Sequence, residues 1–440
     1  MCYALKHHKQ SISRHGCFLN NRCYSASFVF HYLERVLYLP VAIYYLLGLF
    51  CLSIVLGIQV IMLPWLVVDY LLLNSVWVGW IQAAVLIPNL LLLLLGGVAA
   101  DRGHGTRWLV SVIIINGFIH GGLALLVANT WLSIMTLMAY AGLLGVVNAF
   151  IQPWREYLLK SIESVQLQTM VAKSSLCQHT GQALGVGIAS LMLIFDVSVL
   201  LVVQFLIMLI AAYCFGQLSG HHTISQPSTR QEGISYSSLM KSGLADIWQL
   251  PVLRSLLLIV AFNGFFHIGV FIVALPLLAH QLYGANVGFY SAFQLAFIFG
   301  TITTASIVVL KKQLDAPGRR VAFSLLYGGV ILLAISAQPT LWGLLALLFL
   351  WGVVVGVSAN MGRTILQALA PENCRGRMIA IYQLALFGCA PLGALCAGYM
   401  IQWLGVIALL QWSGIASCIA FAMTLLTREL WAIEVDNVDA

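Results

Sequence analysis

Long apolar runs separated by short polar stretches dominate the chain between residues 42 and 427. A helix needs roughly 20 apolar residues to cross a hydrocarbon core about 30 Å thick. Strands of a membrane barrel would alternate apolar and polar residues instead. The pattern predicts twelve transmembrane helices, at 42–68, 75–99, 108–128, 132–153, 175–194, 197–217, 253–279, 287–310, 321–337, 340–362, 378–401 and 405–427.

The composition supports an all-α integral membrane protein. Hydrophobic residues make up 61% of the chain and charged residues 8%, whereas an average soluble domain is about 25% charged. We find no HExxH, no GxSxG and no cluster of acidic residues, so we do not expect an enzyme. A phosphate-binding G-x-x-x-x-G-K-[ST] loop is also missing from the sequence, which argues against ATP use by this chain.

The distribution of basic residues predicts the orientation in the membrane. Of the 21 Lys and Arg residues, 20 fall before the first span, in the even-numbered loops or after the last span, and Arg254 is the second residue of the seventh span, next to such a loop. By the positive-inside rule, both termini are cytoplasmic, as expected for a multi-pass protein of the cytoplasmic (inner) membrane. Because these residues lie in separate loops and not on one patch, we do not expect nucleic-acid binding.

A polar segment between the sixth and seventh spans, Ser219 to Ser238, divides the chain into two sets of six helices. We expect a cytoplasmic tail (1–41), a six-helix bundle (42–218), a cytoplasmic linker (219–252), a second six-helix bundle (253–428) and a C-terminal tail (429–440). The His and Cys residues of the first tail match no standard zinc spacing, so we predict no metal and no cofactor.

The two halves repeat one another. Four identities recur at an offset of 208 residues: Arg155/Arg363, Leu158/Leu366, Ala172/Ala380 and Gly185/Gly393. Such self-similarity indicates a duplicated unit. Two halves related by an axis along the membrane normal form a transporter architecture, with a binding site between them near the midplane.

The segment GGVAADRGHGTR (96–107) resembles the signature loop G-x-x-x-D-R-x-G-R-R of the major facilitator superfamily. Gly97, Asp101 and Arg102 match that signature, while His104 stands where a glycine is expected. Segments of the first, fifth and eleventh spans look like the efflux branch that includes enterobactin and macrolide exporters. The resemblance implies a monomeric secondary transporter that exports an amphipathic small molecule, such as a siderophore or a macrolide, by alternating access. The alternatives are an importer of the same fold and a transport-inactive membrane sensor or scaffold.

The resemblance also implies a cytoplasmic latch between the halves. The residues proposed for it are Gly97, Asp101, Arg102, Arg107, Arg155, Arg363, Arg375 and Arg377. The alternative for the loop is a short charged turn that satisfies topology. For Arg155 and Arg363, the alternative is contact with lipid phosphate.

Polar side chains inside spans are candidates for the substrate cavity, although uncharged ones often only link helices. The predicted set comes from the central helices one, four, seven and ten and their neighbours. It comprises Gln59, Trp65, Asn148, Gln152, Asn263, His267, Gln294, Asn360, Tyr382 and Gln383. Gln178 and Gln182 of the fifth span are further candidates.

Proton coupling needs a group that titrates in the pathway, because we expect protons to drive export. Many relatives carry an acid after a glycine in the first helix, but here Ile58 follows Gly57. The remaining candidates are Asp69, His120 and His267, with helix packing as the alternative for the histidines.

Small residues and a proline in the fifth and eleventh spans suggest close helix packing between moving parts. We assign this role to Gly181, Gly185, Gly187, Pro391 and Gly393.

Overall fold

A computed structural model of the chain describes residues 41–101, 105–162, 167–218, 248, 250–282, 287–311, 316–369, 375–427 and 430–431. Side chains at 94–101, 105, 157, 160–162, 167–172, 282, 308–311, 367–368, 375–377 and 379–380 lie outside this description. The predicted N-terminal tail, most of the predicted linker and most of the C-terminal tail also lie outside the described residues.

The described residues of the first half form six long helices. They are α1 (Val41–Tyr70), α2 (Ser75–Asp101), α3 (Gly105–Ala128), α4 (Ile134–Ile162), α5 (Leu167–Ala189) and α6 (Val197–Gln217). The last turn of α1, Leu66–Tyr70, is π-helical. A 3-10 turn, Ser190–Leu193, continues α5.

From residue 251 onward, the described residues of the second half also form six long helices. They are α7 (251–282), α8 (Val287–Lys311), α9 (Pro317–Ser336), α10 (Leu341–Leu369), α11 (375–404) and α12 (406–427). A π-helical segment, Asn263–Gly269, interrupts α7. Gly405 separates α11 from α12, because its φ of 84° lies in the left-handed region that favours glycine.

The prediction of twelve helices is confirmed. Ten segments among the described residues are long and apolar enough to cross a membrane, and one of them, Ile381–Thr427, contains most of α11 and all of α12. The one helix of the twelve that is not covered by these segments is α5, because polar residues such as Lys173, Gln178 and His179 interrupt its apolar sequence.

Several helices are longer than the predicted spans. α4 continues to Ile162 and α10 to Leu369, and α5 already begins at Leu167. The apolar pattern marks only the part of a helix that lies in hydrocarbon, whereas backbone hydrogen bonding continues into the polar region. We call the face where α1 begins and α12 ends the terminal face, and the other the distal face.

Helices pack first within each half. α1 packs on α5, α2 on α4 and α3 on α6, while α8 packs on α10, α9 on α12 and α7 on α11. Contacts of α2 with α11 and of α5 with α8 join the two halves.

The apolar core is continuous on one side of the molecule and divided on the other. One buried cluster joins both halves towards the distal face and includes Ile81 of α2 and Ile401 of α11. Towards the terminal face, each half has its own cluster, around Trp154 in the first half and around Ile365 in the second. Among the described side chains, the halves therefore share a core at the distal face and have separate cores at the terminal face.

Glycines permit very close approach of paired helices. A Cβ at Gly185 of α5 would overlap the Ile54 carbonyl of α1, and one at Gly393 of α11 would overlap the Phe265 carbonyl of α7. At Gly181, a Cβ would lie 2.9 Å from the Phe50 carbonyl oxygen, whereas at Gly187 it would meet open space. Pro391 lies buried inside α11.

Candidate functional site

A cavity of about 320 Å³ lies in the first half, on the terminal side of the midplane. Helices α1, α2 and α4 form most of its wall, α3, α5 and α6 contribute one residue each, and Phe387 of α11 borders it from the second half. Its polar lining consists of Ser53, Gln59, Asn89, Asn116, Asn148, Gln152, Arg155 and Gln178. The rest of the lining is apolar, so the cavity combines apolar walls with several side-chain amides close together.

Gln59 connects this cavity to a buried histidine. Its Nε2 lies 3.1 Å from His120 Nε2 and donates to the Tyr140 hydroxyl at 3.3 Å. Because His120 Nε2 then accepts, the ring proton lies on Nδ1. His120 is fully buried, and its Nδ1 has no hydrogen-bond partner among the described residues.

Arg155 places a cationic group in the cavity. Oε1 of Gln178 accepts hydrogen bonds from Nη1 and Nη2 of Arg155 at 2.8 and 2.9 Å, in the amide orientation that satisfies both groups. The Glu156 carboxylate lies 3.5 Å from Arg155 Nη2, but the Glu156 side chain is 57% exposed while that of Arg155 is 18% exposed. An ion pair with so exposed a carboxylate contributes little.

Two asparagines of the cavity have unsatisfied oxygens. Oδ1 of Asn89 and Oδ1 of Asn116 are buried without a hydrogen-bond partner in the described part of the chain. An unpaired buried acceptor costs about 1–3 kcal/mol. Both atoms are therefore suited to accept a hydrogen bond from a bound molecule.

A contact between a carboxylate and an imidazole joins the two halves at the distal face. His280 Nε2 of α7 lies 3.3 Å from Asp69 Oδ1 of α1, and both side chains are partly exposed. Asp69 lies in the π-helical turn that ends α1, a type of distortion that occurs frequently at functional sites. The contact is ionic when His280 is protonated.

Hydrogen bonds close the same face. Ser75 Oγ of α2 donates to the Gly398 carbonyl of α11 at 3.0 Å, and the Tyr290 hydroxyl of α8 donates to the Val60 carbonyl of α1 at 2.9 Å. A shallow space of about 430 Å³ lies at this face, lined by the loop between α1 and α2 and by the distal ends of these helices, α7 and α11, including His280. It is larger than the amide-lined cavity, but it opens at the loops and lacks that concentration of buried polar groups.

His267 lies within the second half, away from this cavity. Its Nδ1 accepts from Trp351 Nε1 at 3.3 Å, so its Nε2–H donates to Ser417 Oγ at 2.8 Å. Both ring nitrogens are therefore bonded, and the side chain connects α7 to α10 and α12.

The structure divides the predicted cavity residues into two groups. Gln59, Asn148 and Gln152 line the cavity. Trp65, Asn263, His267, Gln294, Asn360, Tyr382 and Gln383 are not among its lining residues. Some of these bond elsewhere: Asn263 Nδ2 donates to Ser358 Oγ at 3.4 Å, Gln294 Nε2 to the Tyr290 hydroxyl at 3.5 Å, and Asn360 Nδ2 to the Gly356 carbonyl at 2.8 Å.

The predicted latch lies mostly beyond what the structure describes. Arg102 is outside the described residues, as are the side chains of Asp101, Arg375 and Arg377, and of Gly97 only the helical backbone is described. Arg107 and Arg363 are exposed. Arg155 is the exception, since its guanidinium lies in the cavity.

Asn89, Asn116 and His280 were absent from the residues selected by sequence reasoning. A signal existed for both asparagines, because each is an amide inside an apolar span. A selection by central helices excludes them, because Asn89 lies on α2 and Asn116 on α3. His280 could be recognised only through its contact with Asp69.

Comparisons with known proteins agree on the architecture. A family model described as Major Facilitator Superfamily matches residues 45–337. An auto-inhibited peptide transporter of the POT family superposes with a TM-score of 0.72 at 13% identity, over 89% of this chain and 97% of that one. No curated protein matches the sequence significantly.

Two further solved structures are similar. One is a bacterial homolog of the human lysosomal transporter Spinster, in an inward-facing and unoccupied conformation, with a TM-score of 0.64 at 14% identity over 89% of this chain and 98% of that one. The other is the nucleoside transporter NupG, with a TM-score of 0.62 at 12% identity over 88% and 99%. At these identities the likeness concerns the fold alone.

Proposed function

The chain belongs to the major facilitator superfamily, a family of membrane transporters and not of enzymes, and from this premise we propose that it exports an amphipathic small molecule by alternating access. The observation that carries the proposal is the asymmetry between the two faces. The halves share one apolar core at the distal face, whereas a polar cavity lies on the terminal side, where the described side chains form a separate core in each half. This arrangement supports a transporter in a state open to the terminal face.

The terminal face is the cytoplasmic one in this proposal, and the membrane is the cytoplasmic (inner) membrane. Described cations such as Arg107, Lys173, Arg320 and Arg363 lie near the terminal ends of their helices. The positive-inside rule then orients that face towards the cytoplasm. A cavity open there can bind a substrate from the cytoplasm, as export requires, and the choice of export over import rests on the resemblance to the efflux branch.

The cavity supports a compact amphipathic cargo. Its apolar walls and amide lining suit a molecule with both apolar and polar parts. A volume of about 320 Å³ lies at the lower end of the range of about 300–1,000 Å³ for ligand pockets. Small siderophores and drug-like compounds fit this size better than macrolides do.

Protons are the coupling ion that we propose, with Asp69 as the first candidate. Protonation removes the charge of the Asp69 carboxylate and so weakens its contact with His280 across the halves. Opening of the distal face would then follow proton entry from that side. His120 is the second candidate, because Gln59 connects it to the cavity. His267 is the third, since both of its ring nitrogens already serve helix packing.

In the proposed cycle, the predicted latch holds the terminal face closed while the distal face is open. When the distal face opens, the terminal ends must close, and Asp101 with the arginines of the loop and of α11 would hold them together. We propose that one chain, with its two six-helix bundles and the polar linker between them, performs this cycle as a monomer in the bilayer.

The test is substrate-stimulated proton movement in proteoliposomes that contain the purified protein and an internal pH-sensitive dye. We expect siderophores or dyes of compact size to trigger a pH change that Asp69→Asn abolishes. Asp196→Asn is the matched control, because Asp196 is another acidic residue at the distal face but lies outside the ion pair.

Other results would redirect the proposal. Substrate uptake from the distal side driven by protons would favour the importer, and full coupling in Asp69→Asn would exclude Asp69 as the coupling residue. Substrate binding without any flux would support the sensor or scaffold.

A further inference from the structure

The charge in the cavity is unbalanced. Of the described residues that line it, Arg155 is the cationic one, and no Asp or Glu is among them. The carboxylate nearest to Arg155, that of Glu156, is mostly exposed to solvent and therefore strongly screened. The cavity thus has a net positive character.

The hydrogen bonds of Arg155 mimic the binding of an oxyanion. Gln178 accepts from both Nη atoms with one neutral oxygen. Carboxylate and phosphate groups accept from the same two donors in parallel, and charge-assisted bonds of this kind are roughly twice as strong as neutral ones. An anionic group can therefore displace the Gln178 amide from the guanidinium.

The asparagines define a second requirement. The unpaired oxygens of Asn89 and Asn116 can only accept hydrogen bonds, so a molecule that satisfies them must present O–H or N–H groups. The apolar walls and the small volume then restrict the rest of the molecule to a compact, partly apolar body.

We propose that this cavity binds a compact organic anion, whose carboxylate or phosphate is held by Arg155 and whose O–H or N–H groups donate to Asn89 and Asn116. This inference rests on the proposed function, because it assigns a substrate class to the proposed transport cavity. Binding can nevertheless be measured without transport, so the failure of one is distinguishable from the failure of the other.

The experiment measures equilibrium binding to the purified, detergent-solubilised protein by calorimetry. The probes are matched pairs: N-acetylphenylalanine with its amide, citrate with its trimethyl ester, and glycerol phosphate with glycerol. We expect at least one anion to bind more tightly than its neutral partner. Arg155→Gln should lower the affinity for that anion about tenfold or more. Arg320→Gln removes an exposed cation from the other half and should leave the affinity unchanged.

Substitutions of Gln178 give changes of opposite sign. Gln178→Glu supplies an internal carboxylate to Arg155 and should weaken anion binding as much as Arg155→Gln does. Gln178→Ala frees the Arg155 guanidinium and should tighten anion binding. Asn116→Leu should weaken the binding of both probes of a matched pair, because both carry the O–H or N–H donor. If Arg155→Gln fails to fold, Arg155→Lys keeps the charge, loses the parallel geometry and should bind anions less tightly than the wild type.

Three results would overturn the proposal. The first is that none of these anions binds, and the second is equal binding by wild type and Arg155→Gln. The third is Arg155-dependent binding of added phosphatidylglycerol but not of phosphatidylcholine or any soluble anion, which would identify a lipid headgroup as the ligand. Anion binding that depends on Arg155, in a protein that transports nothing, would support this site and contradict the transport proposal.

Discussion

At the scale of the residue, polar side chains inside the spans differ in hydrogen-bond satisfaction. His267 has both ring nitrogens bonded and connects three helices of the second half. Asn89 and Asn116 keep unpaired oxygens next to the cavity. Residue type does not distinguish these cases, because each is a polar side chain within an apolar span. The unsatisfied groups are the ones that a ligand can stabilise.

Asp196, outside the membrane-spanning segments, offers a prediction at this scale. Its Oδ1 accepts from the Ser198 amide at 2.8 Å and caps α6, and the hydrogen bond from Ser198 lowers the pKa of the Asp196 carboxyl. We expect Asp196→Ala to destabilise the protein by about 1 kcal/mol at pH 7, since a lost N-cap costs that much. Asp196→Asn retains an acceptor and should lose less.

The same group predicts a pH dependence. Because the folded-state pKa is the lower one, the contribution of the charged cap is present above the unfolded value of about 3.9 and is lost as the pH falls through the folded pKa. Thermal unfolding in detergent should show the gap between wild type and Asp196→Ala narrowing in acid. A gap of constant size from pH 7 to pH 3 would contradict this account of the cap.

At the scale of the element, two glycines of α5 occupy different environments. Gly185 lies against the backbone of α1, where Gly57 makes the reciprocal close approach. Gly187, two residues further along the same helix, has open space beside it. Small residues drive helix association in membranes only where backbones actually approach. The helix therefore needs glycine at the first position but not at the second.

Alanine substitutions test this difference. Gly185→Ala should lower the melting temperature, because its Cβ overlaps the Ile54 carbonyl and forces α1 and α5 apart. Gly187→Ala should leave the melting temperature unchanged or raise it, since alanine is favoured over glycine in helices by about 1 kcal/mol. Equal destabilisation by the two substitutions, measured on purified protein in one detergent, would mean that α1 and α5 do not pack as closely as described.

At the scale of the whole molecule, the contrast between the two faces is the central feature. The shared apolar core, the Asp69–His280 pair and hydrogen bonds between the halves all lie towards the distal face. Alternating access requires these contacts to break while the terminal ends come together. Holding the distal face closed should therefore stop transport without affecting the cavity.

An engineered metal bridge tests that requirement. Trp80 Nε1 of α2 lies 3.4 Å from the Tyr399 hydroxyl of α11, and both side chains are exposed. In the double variant Trp80→His/Tyr399→His, Zn²⁺ should join the two imidazoles and inhibit transport, and a chelator should restore it. The single variants and the wild type are the controls. Transport by the double variant that continues at full rate with zinc bound would show that the distal face need not open.

The sequence alone was sufficient for the number of helices and the family resemblance. A membrane admits only long apolar helices or closed barrels, so the apolar runs had few possible interpretations. The repeat at an offset of 208 residues and the signature around Asp101 indicated the architecture, which the family match confirms at the level of the superfamily. The sequence also identified Gln59, Asn148 and Gln152, because any amide inside a span stands out.

Only the tertiary structure decided which polar side chains face one another. A membrane helix is apolar on all sides, since lipid and protein interior are equally apolar, and its pattern does not specify its rotation about its own axis. That rotation determines three features of the structure. They are the contact of Asp69 with His280, the two hydrogen bonds from Arg155 to Gln178, and the placement of Asn89 and Asn116 in one cavity. Packing between helices sets it, and packing is a property of the folded chain as a whole.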